Sequence, residues 1–391
     1  MTESSTEDGT PVTPGVPFIS RVCLKNYKSI AECDVRLGPL TILVGPNGSG
    51  KSNFLDALAF LARAVQTTLA EAIDERGGVD EIIRRVPDRS DSFTIAIEAN
   101  VEENPAAYEI QVDRSAELIT ESASVVRRGR TWNFIAEHGN IRNSDGSSDR
   151  GEPTELNLLR SKGYYALARA LSRMQFYNFE TETLRTPQQP TATGVLGSTG
   201  QYLGDVLRRI STEHPGDKAR MDLYLNAIVP EIVGVDAYSA GGYSTVAVRT
   251  NGGQEGGEFE FGPKSMSDGT VRAAGVLTAL FQPSARDGRV PLIGIEEPET
   301  ALHPSAAGVL YDVLTESSER VQVIVTSQSS DLLDREDLDV SAIRPVQMAA
   351  GLTFISEVDD ASREIIEKGL HTLGELMRGD QLVPKIADEA P

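Results

Sequence analysis

The sequence of 391 residues is poor in cysteine and histidine, the side chains that form disulfides and commonly bind metal ions. It contains only two cysteines, Cys23 and Cys33, and four histidines scattered along the chain. Both cysteines fall in predicted strands, where we expect them to be small buried apolar side chains rather than a disulfide. The histidines lack the spacing of metal ligands, so the chain carries no nuclease signature of its own.

Long apolar runs are missing as well. No stretch approaches the roughly twenty consecutive apolar residues needed to span a bilayer, and the first residues lack the charged-then-apolar order of a secretion signal. With so few cysteines, we expect a cytoplasmic protein with no membrane partner. There is no internal repeat and no sustained heptad pattern, which argues against a long coiled coil.

Basic residues are too few to balance the acidic ones. The 37 Lys and Arg face 58 Asp and Glu, a formal net charge of −21. Such a chain repels phosphate backbones unless its basic residues gather on one face, so bulk nucleic-acid binding is not indicated. Three local basic clusters are present: Arg84 and Arg85 with Arg89, Arg127 and Arg128 with Arg130, and Arg208 with Arg209. Clusters of this size are more typical of solvated hairpin tips or helix faces than of DNA contacts.

A phosphate-binding loop follows the apolar stretch Leu40–Val44. Residues 45–52 read GPNGSGKS, a complete GxxxxGK[ST] motif, and a helix-like segment comes directly after it. Glycines let the backbone point its N–H groups at phosphate oxygens, and the helix adds its positive N-terminal end. The residues expected to bind the triphosphate are Asn47, Gly48, Ser49, Gly50, Lys51 and Ser52. Lys51 would reach the β- and γ-phosphates, and the Ser52 hydroxyl would ligate Mg²⁺.

A second group of candidate residues lies about 245 residues downstream, in PLIGIEEPETALHP at 291–304. Carboxylates at the carboxyl end of a strand lie where open α/β sheets bind ligands. We expect Glu296 to hold Mg²⁺, directly or through water, and Glu297 to orient or deprotonate the attacking water. Upstream of this strand, SMSDGTVR at 265–272 places Ser267 and Gly269 at a helix start, a further candidate anion site.

Patterning predicts five segments along the chain. They are a flexible tail at 1–16, an N-terminal part with the phosphate loop and an antiparallel β meander at 17–138, a linker and helical insertion at 139–240, a C-terminal part with the 265–272 turn and the carboxylates at 241–345, and a strand and helix tail at 346–391. Within them we predict one long helix from residue 52 to about 70, a polar glycine-rich linker at 139–158, an irregular stretch at 176–184 and a turn at 251–253.

The order of these motifs, followed by IVTSQSSDLL at 324–333, resembles the RecF/SMC/ABC-type ATPases, particularly short bacterial AAA-family members without a long coiled coil. Residues 24–30 and the TLGEL run at 372–376 are similar to the beginning and the tail of such proteins. The resemblance implies an α/β fold: a P-loop NTPase with an ABC/RecF-like head, a mixed central sheet, an antiparallel β lobe and a helical insertion.

The resemblance also implies roles at particular positions. Ser267, with Gly269, stands where the ABC signature contacts the γ-phosphate of ATP held by the opposite protomer, so two chains would sandwich two ATP molecules. Residues 298–303 stand where these enzymes have the loop that crosses the dimer interface. Glu296 replaces the more usual Asp. Gln328 occupies the position of the switch histidine. Because an amide neither exchanges a proton with its ligand at neutral pH nor carries charge, we expect slow hydrolysis.

These observations predict an Mg²⁺-dependent ATPase that dimerises head to tail on ATP and regulates a partner effector, a nuclease or toxin, in phage defence. One alternative is a RecF-like repair ATPase that binds DNA, which the net charge does not support. Another is a slow-turnover, nucleotide-gated scaffold, which Gln328 suggests. A transporter motor domain is the weakest option, because the β meander and the tail are unlike one.

Overall fold

The computed structural model describes residues 16–85, 91–160, 162–251, 257–335 and 337–385. Residues 1–15 of the predicted tail, Arg89 in the first basic cluster, and residues 252–253 of the predicted turn lie outside the described residues. Within the described ranges, no helix combines the length and the apolar character that crossing a membrane requires.

The described residues form seventeen strands and twelve α-helices. The strands are β1 (Ile19–Tyr27), β2 (Ile30–Arg36), β3 (Leu40–Val44), β4 (Ser92–Val101), β5 (Asn104–Asp113), β6 (Leu118–Arg127), β7 (Arg130–Glu137), β8 (Asn140–Asn143), β9 (Ser148–Arg150), β10 (Gln175–Tyr177), β11 (Ile232–Ala240), β12 (Tyr243–Asn251), β13 (Glu258–Phe261), β14 (Leu292–Glu296), β15 (Gln322–Ser327), β16 (Ile343–Ala349) and β17 (Leu352–Ile355). The helices are α1 (Lys51–Gln66), α2 (Leu69–Asp74), α3 (Val79–Ile82), α4 (Tyr165–Ser172), α5 (Thr181–Arg185), α6 (Leu203–Glu213), α7 (Pro215–Ile228), α8 (Asp268–Phe281), α9 (Pro283–Arg286), α10 (Ala307–Ser318), α11 (Asp360–Glu367) and α12 (Leu373–Arg378).

The β lobe is an eight-stranded antiparallel sheet in the order β2-β1-β4-β5-β6-β7-β8-β9. Its strands alternate buried and accessible residues, as expected when one face packs on a core and the other meets water. The inward residues of β4 illustrate this period of two: Phe93, Ile95, Ile97, Ala99 and Val101. The predicted antiparallel meander is therefore present and is longer than predicted.

The central sheet has the order β10-β14-β15-β3-β16-β17 and is parallel except for β17, which runs antiparallel to β16. All five residues of β3 are buried. Leu43 belongs to the core shared with α1 and the β lobe, whereas Ile42 and Val44 belong to the core shared with α7, α8 and α10. Because both faces of the sheet are covered, its strands are continuous apolar runs rather than alternating ones.

Two predicted loop regions contain regular secondary structure, which corrects the sequence interpretation. The predicted linker at 139–158 contains β8 and β9, which extend the β lobe by pairing with β7 and with each other. The predicted irregular stretch at 176–184 begins with the last two residues of β10, which pairs in parallel with β14, and ends in α5. Backbone hydrogen bonds form both pairings, and polar or mixed side chains do not prevent them.

The predicted helix from residue 52 to 70 is two helices. α1 ends at Gln66, where the Thr67 hydroxyl donates to the Arg63 carbonyl at 2.9 Å. The Thr68 hydroxyl then accepts from the Glu71 N–H at 3.1 Å and caps α2. Threonine favours such local side-chain to backbone bonds over continuing a helix, and this accounts for the break.

A buried glutamine connects the two sheets. Gln322 on β15 accepts from the Ile19 N–H at 2.8 Å and donates to the carbonyls of Ile19 at 2.7 Å and Gly38 at 2.9 Å. The first strand of the β lobe is thereby held to the central sheet beside the strand that leads to the phosphate loop.

Glu121 is the corresponding buried polar residue within the β lobe. Its carboxylate accepts four hydrogen bonds: from Tyr108 Oη at 2.8 Å, Leu158 N at 2.9 Å, Asn157 N at 2.6 Å and Asn157 Nδ2 at 2.9 Å. Burial raises the pKa of Glu121, and the four donors oppose that rise. These bonds attach the turn at Asn157–Leu159 to β5 and β6.

We predict that Glu121→Gln lowers the free energy of unfolding by about 1–3 kcal/mol, because an amide NH₂ would face donors that need an acceptor. The urea midpoint at pH 7 measures this. Glu109→Gln on the exposed face of β5 is the matched control, with an expected change within about 0.5 kcal/mol. Equal midpoints for the two variants would contradict the prediction.

Candidate functional site

The phosphate loop connects β3 to α1 and is hydrogen-bonded to β17 in the C-terminal part of the chain. Gly48 and Gly50 have positive φ angles of 75° and 105°. Thr353 on β17 donates its hydroxyl hydrogen bond to the Ser49 carbonyl at 2.9 Å. Ser29 contacts Thr353 Oγ1 at 2.8 Å and accepts from Asn53 Nδ2 at 2.7 Å. The loop is thus held in shape by strands that are distant in sequence.

Lys51 is buried at the start of α1 and folds back over the loop. Its ammonium donates to the carbonyl oxygens of Gly45 at 2.7 Å and Pro46 at 2.9 Å. Burial lowers the pKa of Lys51, while the nearby carboxylates Glu297, Glu299 and Glu296 oppose this. A cation in this position, beside the backbone of the phosphate loop, suits a triphosphate.

Ser52 and Glu296 meet directly although 244 positions separate them: the Ser52 hydroxyl donates to Glu296 Oε2 at 2.8 Å. Burial raises the pKa of Glu296, and the Ser52 hydrogen bond opposes that rise. A hydroxyl and a carboxylate oxygen beside a phosphate loop are hard ligands of the kind Mg²⁺ prefers. Among the described residues there is no group of three or more His, Cys, Asp or Glu that could hold a metal by itself. The pair therefore fits an ion whose other ligands are phosphate and water.

Glu297 and Gln328 form the second pair. Gln328 Nε2 donates to Glu297 Oε2 at 3.0 Å. Glu297 has a φ of 42°, a conformation that costs energy for a residue with a side chain. Its N–H is held by the Thr326 carbonyl at 3.0 Å and by Thr326 Oγ1 at 3.2 Å. The backbone turn at Glu297 directs its carboxylate away from the end of β14 and toward Gln328.

Glu299 is a site residue to which the sequence interpretation gave no role. Glu299 Oε1 accepts from Ser327 Oγ at 2.7 Å and from the Gln328 N–H at 3.0 Å. Its other oxygen, Oε2, is shielded from solvent and has no hydrogen-bond partner, and burial raises the pKa of the carboxyl group. Its identity as the third carboxylate of IEEPE is visible in the sequence. Only the turn after Glu297 brings it to the end of β15.

Ser267 and Gly269 lie at the start of α8, where the helix packs against the loop at 298–303. Ser267 caps the helix by accepting from the Thr270 N–H at 3.1 Å. A Cβ on Gly269 would lie 2.3 Å from the Ala301 carbonyl oxygen, so this close approach requires glycine. Within the described ranges, neither residue forms a hydrogen bond or ion pair to the phosphate loop. Lys51, Ser52, Glu296, Glu297 and Gln328 are brought together, whereas Ser267 and Gly269 belong to a neighbouring cluster.

Arg272 on α8 is close enough to the carboxylates to interact with them electrostatically, and the sequence interpretation gave it no role. Its guanidinium donates to the Phe179 carbonyl at 2.6 Å. Burial lowers the pKa of Arg272, and the charges of Glu297 and Glu299 oppose the shift. Its place in the SMSDGTVR run was the available signal, but its proximity to Glu297 is a property of the folded chain.

The chain is similar to known proteins. Residues 40–334 match the AAA_21 family, described as "AAA domain, putative AbiEii toxin, Type IV TA system". The RecF DNA replication and repair protein of Nocardioides sp. is 29% identical over 146 residues, which is 37% of this chain and 34% of the relative. RecF of Corynebacterium jeikeium is 48% identical over 46 residues, 12% of this chain and 11% of the relative. The chain thus aligns with about a third or less of each relative.

A solved SMC head bound to the C-terminal winged-helix domain of ScpA has the same fold. The TM-score is 0.57 at 14% identity, over 87% of this chain and 97% of that chain. This likeness confirms the predicted fold class, an α/β SMC/RecF-like ABC head with a mixed sheet and an antiparallel β lobe. The longest helix among the described residues is α1, with 16 residues, so the described part contains no long coiled coil.

We predict that Lys51→Ala weakens Mg-ATP binding about tenfold to a hundredfold, because hydrogen bonds to charged groups contribute about 1.5–3 kcal/mol each. Calorimetric titration measures the affinity. Lys25→Ala, which removes an exposed lysine paired with Glu32 on the β lobe, should leave the affinity unchanged. Equal affinities for wild type and Lys51→Ala would contradict the assignment of the loop.

Proposed function

This chain belongs to the AAA_21 family, a P-loop ATPase domain related to RecF and to SMC heads, and we propose that it hydrolyses ATP and uses ATP to join two copies head to tail. The observation that carries the proposal is the meeting of Lys51 and Ser52 with Glu296, Glu297 and Gln328 at one edge of the central sheet. Such a set combines phosphate binding, a metal position and a carboxylate for water.

The chemistry of the site follows from these side chains. The loop N–H groups and Lys51 bind the phosphates, and Ser52 with Glu296 would hold Mg²⁺, which neutralises phosphate charge when bound. Glu297 orients or deprotonates the attacking water. Gln328 holds Glu297 through its amide and can also donate to the γ-phosphate, but it cannot carry a proton. Slow turnover is the expected consequence.

Association of two copies is supported by the surface around α8. Ser267 and Asp268 are exposed at the helix start, and β13, shortly before them, carries Phe259 and Phe261 at 51% and 44% exposure. Exposed aromatic side chains beside a polar site are typical of interface cores. A second copy's Ser267 on the γ-phosphate would give ATP a higher affinity for the dimer than for the monomer, which is what shifts an association equilibrium.

We predict that Glu297→Gln, which retains ATP, doubles its mass from the 42.1 kDa of one chain when Mg-ATP is added. Light scattering after size exclusion measures the mass. The double variants Glu297→Gln with Lys51→Ala, and Glu297→Gln with Ser267→Arg, should stay monomeric. A Glu297→Gln chain that binds ATP and remains a monomer would count against the sandwich.

A mixing experiment tests the shared site more directly. Lys51→Ala keeps a working Ser267, and Ser267→Arg keeps a working Lys51, so one of the two sites in a mixed dimer is complete. We predict ATPase activity on mixing that neither variant shows alone. Two folded variants that stay inactive together would argue that each chain hydrolyses ATP by itself.

Regulation of an effector protein, a nuclease or toxin in phage defence, is the output we propose for this cycle. The toxin–antitoxin wording of the family description supports it, as does the missing metal-ligand cluster among the described residues. Copurification with the products of neighbouring genes tests it. A nucleotide-gated scaffold is the variant of this proposal that Gln328 suggests, and turnover under saturating Mg-ATP separates the two.

One surface favours a second candidate function, RecF-like nucleic-acid binding. Arg85 pairs with Glu81, and Arg208 and Arg209 both pair with Asp205. By contrast, the side chains of three arginines at the tip of the β6–β7 hairpin form no ion pair or hydrogen bond within the described chain. With Gly163 they line a cleft of about 710 Å³ that also holds Trp132, which is 44% exposed. The three are Arg127, Arg128 and Arg130. Guanidinium groups form bidentate hydrogen bonds to phosphates, and an indole ring stacks on bases.

We predict, on this second candidate, that the double variant Arg128→Glu with Arg130→Glu weakens binding of a labelled oligonucleotide at least tenfold at low salt. Fluorescence anisotropy across a salt series measures it, because phosphate contacts are lost steeply as salt rises. Arg142→Glu, which removes an arginine paired with Glu137 on the same lobe, is the control. No binding by wild type at low salt would remove this candidate.

A further inference from the structure

The TLGEL run at 372–376 is a sequence motif that the proposed function leaves without a role. It forms the start of α12, which packs on the loop that follows Gln328. This loop contains the 3₁₀ turn Asp331–Leu333. Thr372 Oγ1 donates to Asp334 Oδ1 at 2.6 Å. Arg378, at the other end of α12, donates to Asp334 Oδ2 at 2.5 Å and to Ser330 Oγ at 3.2 Å. One short helix therefore holds both ends of the loop segment 330–334.

The hydroxyl of Thr372 is committed by its other bonds. It accepts from the Glu375 N–H at 3.1 Å, and the Glu375 carboxylate in turn accepts from the Thr372 N–H at 3.0 Å. This capping box uses one of the two acceptor lone pairs of the hydroxyl at the helix start. The single proton of Thr372 is donated to Asp334, because an ionised carboxylate can only accept a hydrogen bond.

Gly374 explains why the motif contains a glycine. A Cβ at this position would lie 2.3 Å from Asp334 Oδ1 and 2.5 Å from the Ser330 carbonyl oxygen. The backbone of α12 therefore lies directly on the loop, at a distance that any larger residue would increase. Contact of this kind transmits a shift of the helix to the loop, because packed groups have little room to yield.

The loop held by α12 leads straight into the proposed catalytic pair. Gln328 donates through its amide to Glu297 and through its N–H to Glu299, and the Ser329 N–H donates to Ser327 Oγ at 3.0 Å. Leu332 and Leu333 are fully buried and anchor the middle of the loop. Beyond α12 the chain returns to the phosphate loop. There Met377, Asp380 and Leu382 border a cleft of about 430 Å³ with residues 45–49.

We propose that the cluster Asp334–Thr372–Arg378 is a positioning element of the ATPase site, which holds the 328–334 loop so that Gln328 can orient Glu297. This rests on the proposed function. The cluster touches neither nucleotide nor water and acts through the loop. Asp334 and Arg378 are partly exposed, and exposed ion pairs contribute little to global stability. Their effect should therefore appear in the order of the loop and in kcat rather than in unfolding.

The experiment is a double-mutant cycle of Arg378→Gln, Asp334→Asn and the double variant, with Lys368→Gln as control. Lys368 pairs only with Glu364 on the neighbouring α11 in the described chain. We expect kcat to fall at least fivefold in each single variant, and in the double variant by less than the product of the two single losses, because the two residues share one ion pair. The Mg-ATP affinity and Tm should match the control. Arg378→Lys, which retains the charge, should recover part of kcat.

Hydrogen exchange of residues 327–335 without nucleotide provides a readout that does not depend on turnover. We expect faster exchange there in Arg378→Gln and Asp334→Asn than in Lys368→Gln. Unchanged exchange in that segment would overturn the positioning role, as would additive losses in kcat accompanied by a lower Tm. If wild type shows no ATPase activity that depends on Glu297, the proposed function fails, while the exchange result still decides whether α12 orders the loop.

Discussion

Parallel pairing of β14, β15 and β3 is the constraint on which the site depends. The register places Glu296 opposite Thr326 and Thr326 opposite Leu43, so the three strands end in one row. The next residues along each strand are Glu297, Ser327 and Val44, and beyond them lie Gln328 and the phosphate loop. A shift of one residue in either pairing would separate Ser52 from Glu296 and turn buried side chains to the other face. Continuous apolar strands covered on both sides make such a shift costly.

The site contains three locally unfavourable features. Glu297 sits at positive φ, Glu299 Oε2 has no partner, and the Ser49 hydroxyl is buried without one. Each of these costs free energy, and strain of this kind persists only where surrounding structure over-determines it. Elsewhere the buried polar residues Gln322 and Glu121 have several partners each.

Local chemistry accounts for what could be predicted. GPNGSGKS needs only eight consecutive residues and its flanks, so the phosphate loop, its strand and its helix were all readable, and the alternating strands of the β lobe were readable for the same reason. β8, β9 and β10 were not, because short strands at or next to a sheet edge owe their existence to a neighbour's backbone rather than to their own side chains. Thr67 and Thr68 broke a helix whose apolar period continued.

The sequence alone determined which chemical groups this protein carries: a triphosphate-binding loop, a pair of carboxylates after an apolar strand, and a signature-like turn at a helix start. Tertiary structure decided which of those groups meet. It joined Ser52 to Glu296 and Gln328 to Glu297, brought in Glu299 and Arg272, and kept Ser267 and Gly269 in a neighbouring cluster within the single chain. The reason is physical: hydrogen bonds between residues far apart in sequence, 244 positions for Ser52 and Glu296 and 31 for Glu297 and Gln328, depend on sheet register and on turns such as the one at Glu297. Neither leaves a local pattern in the chain.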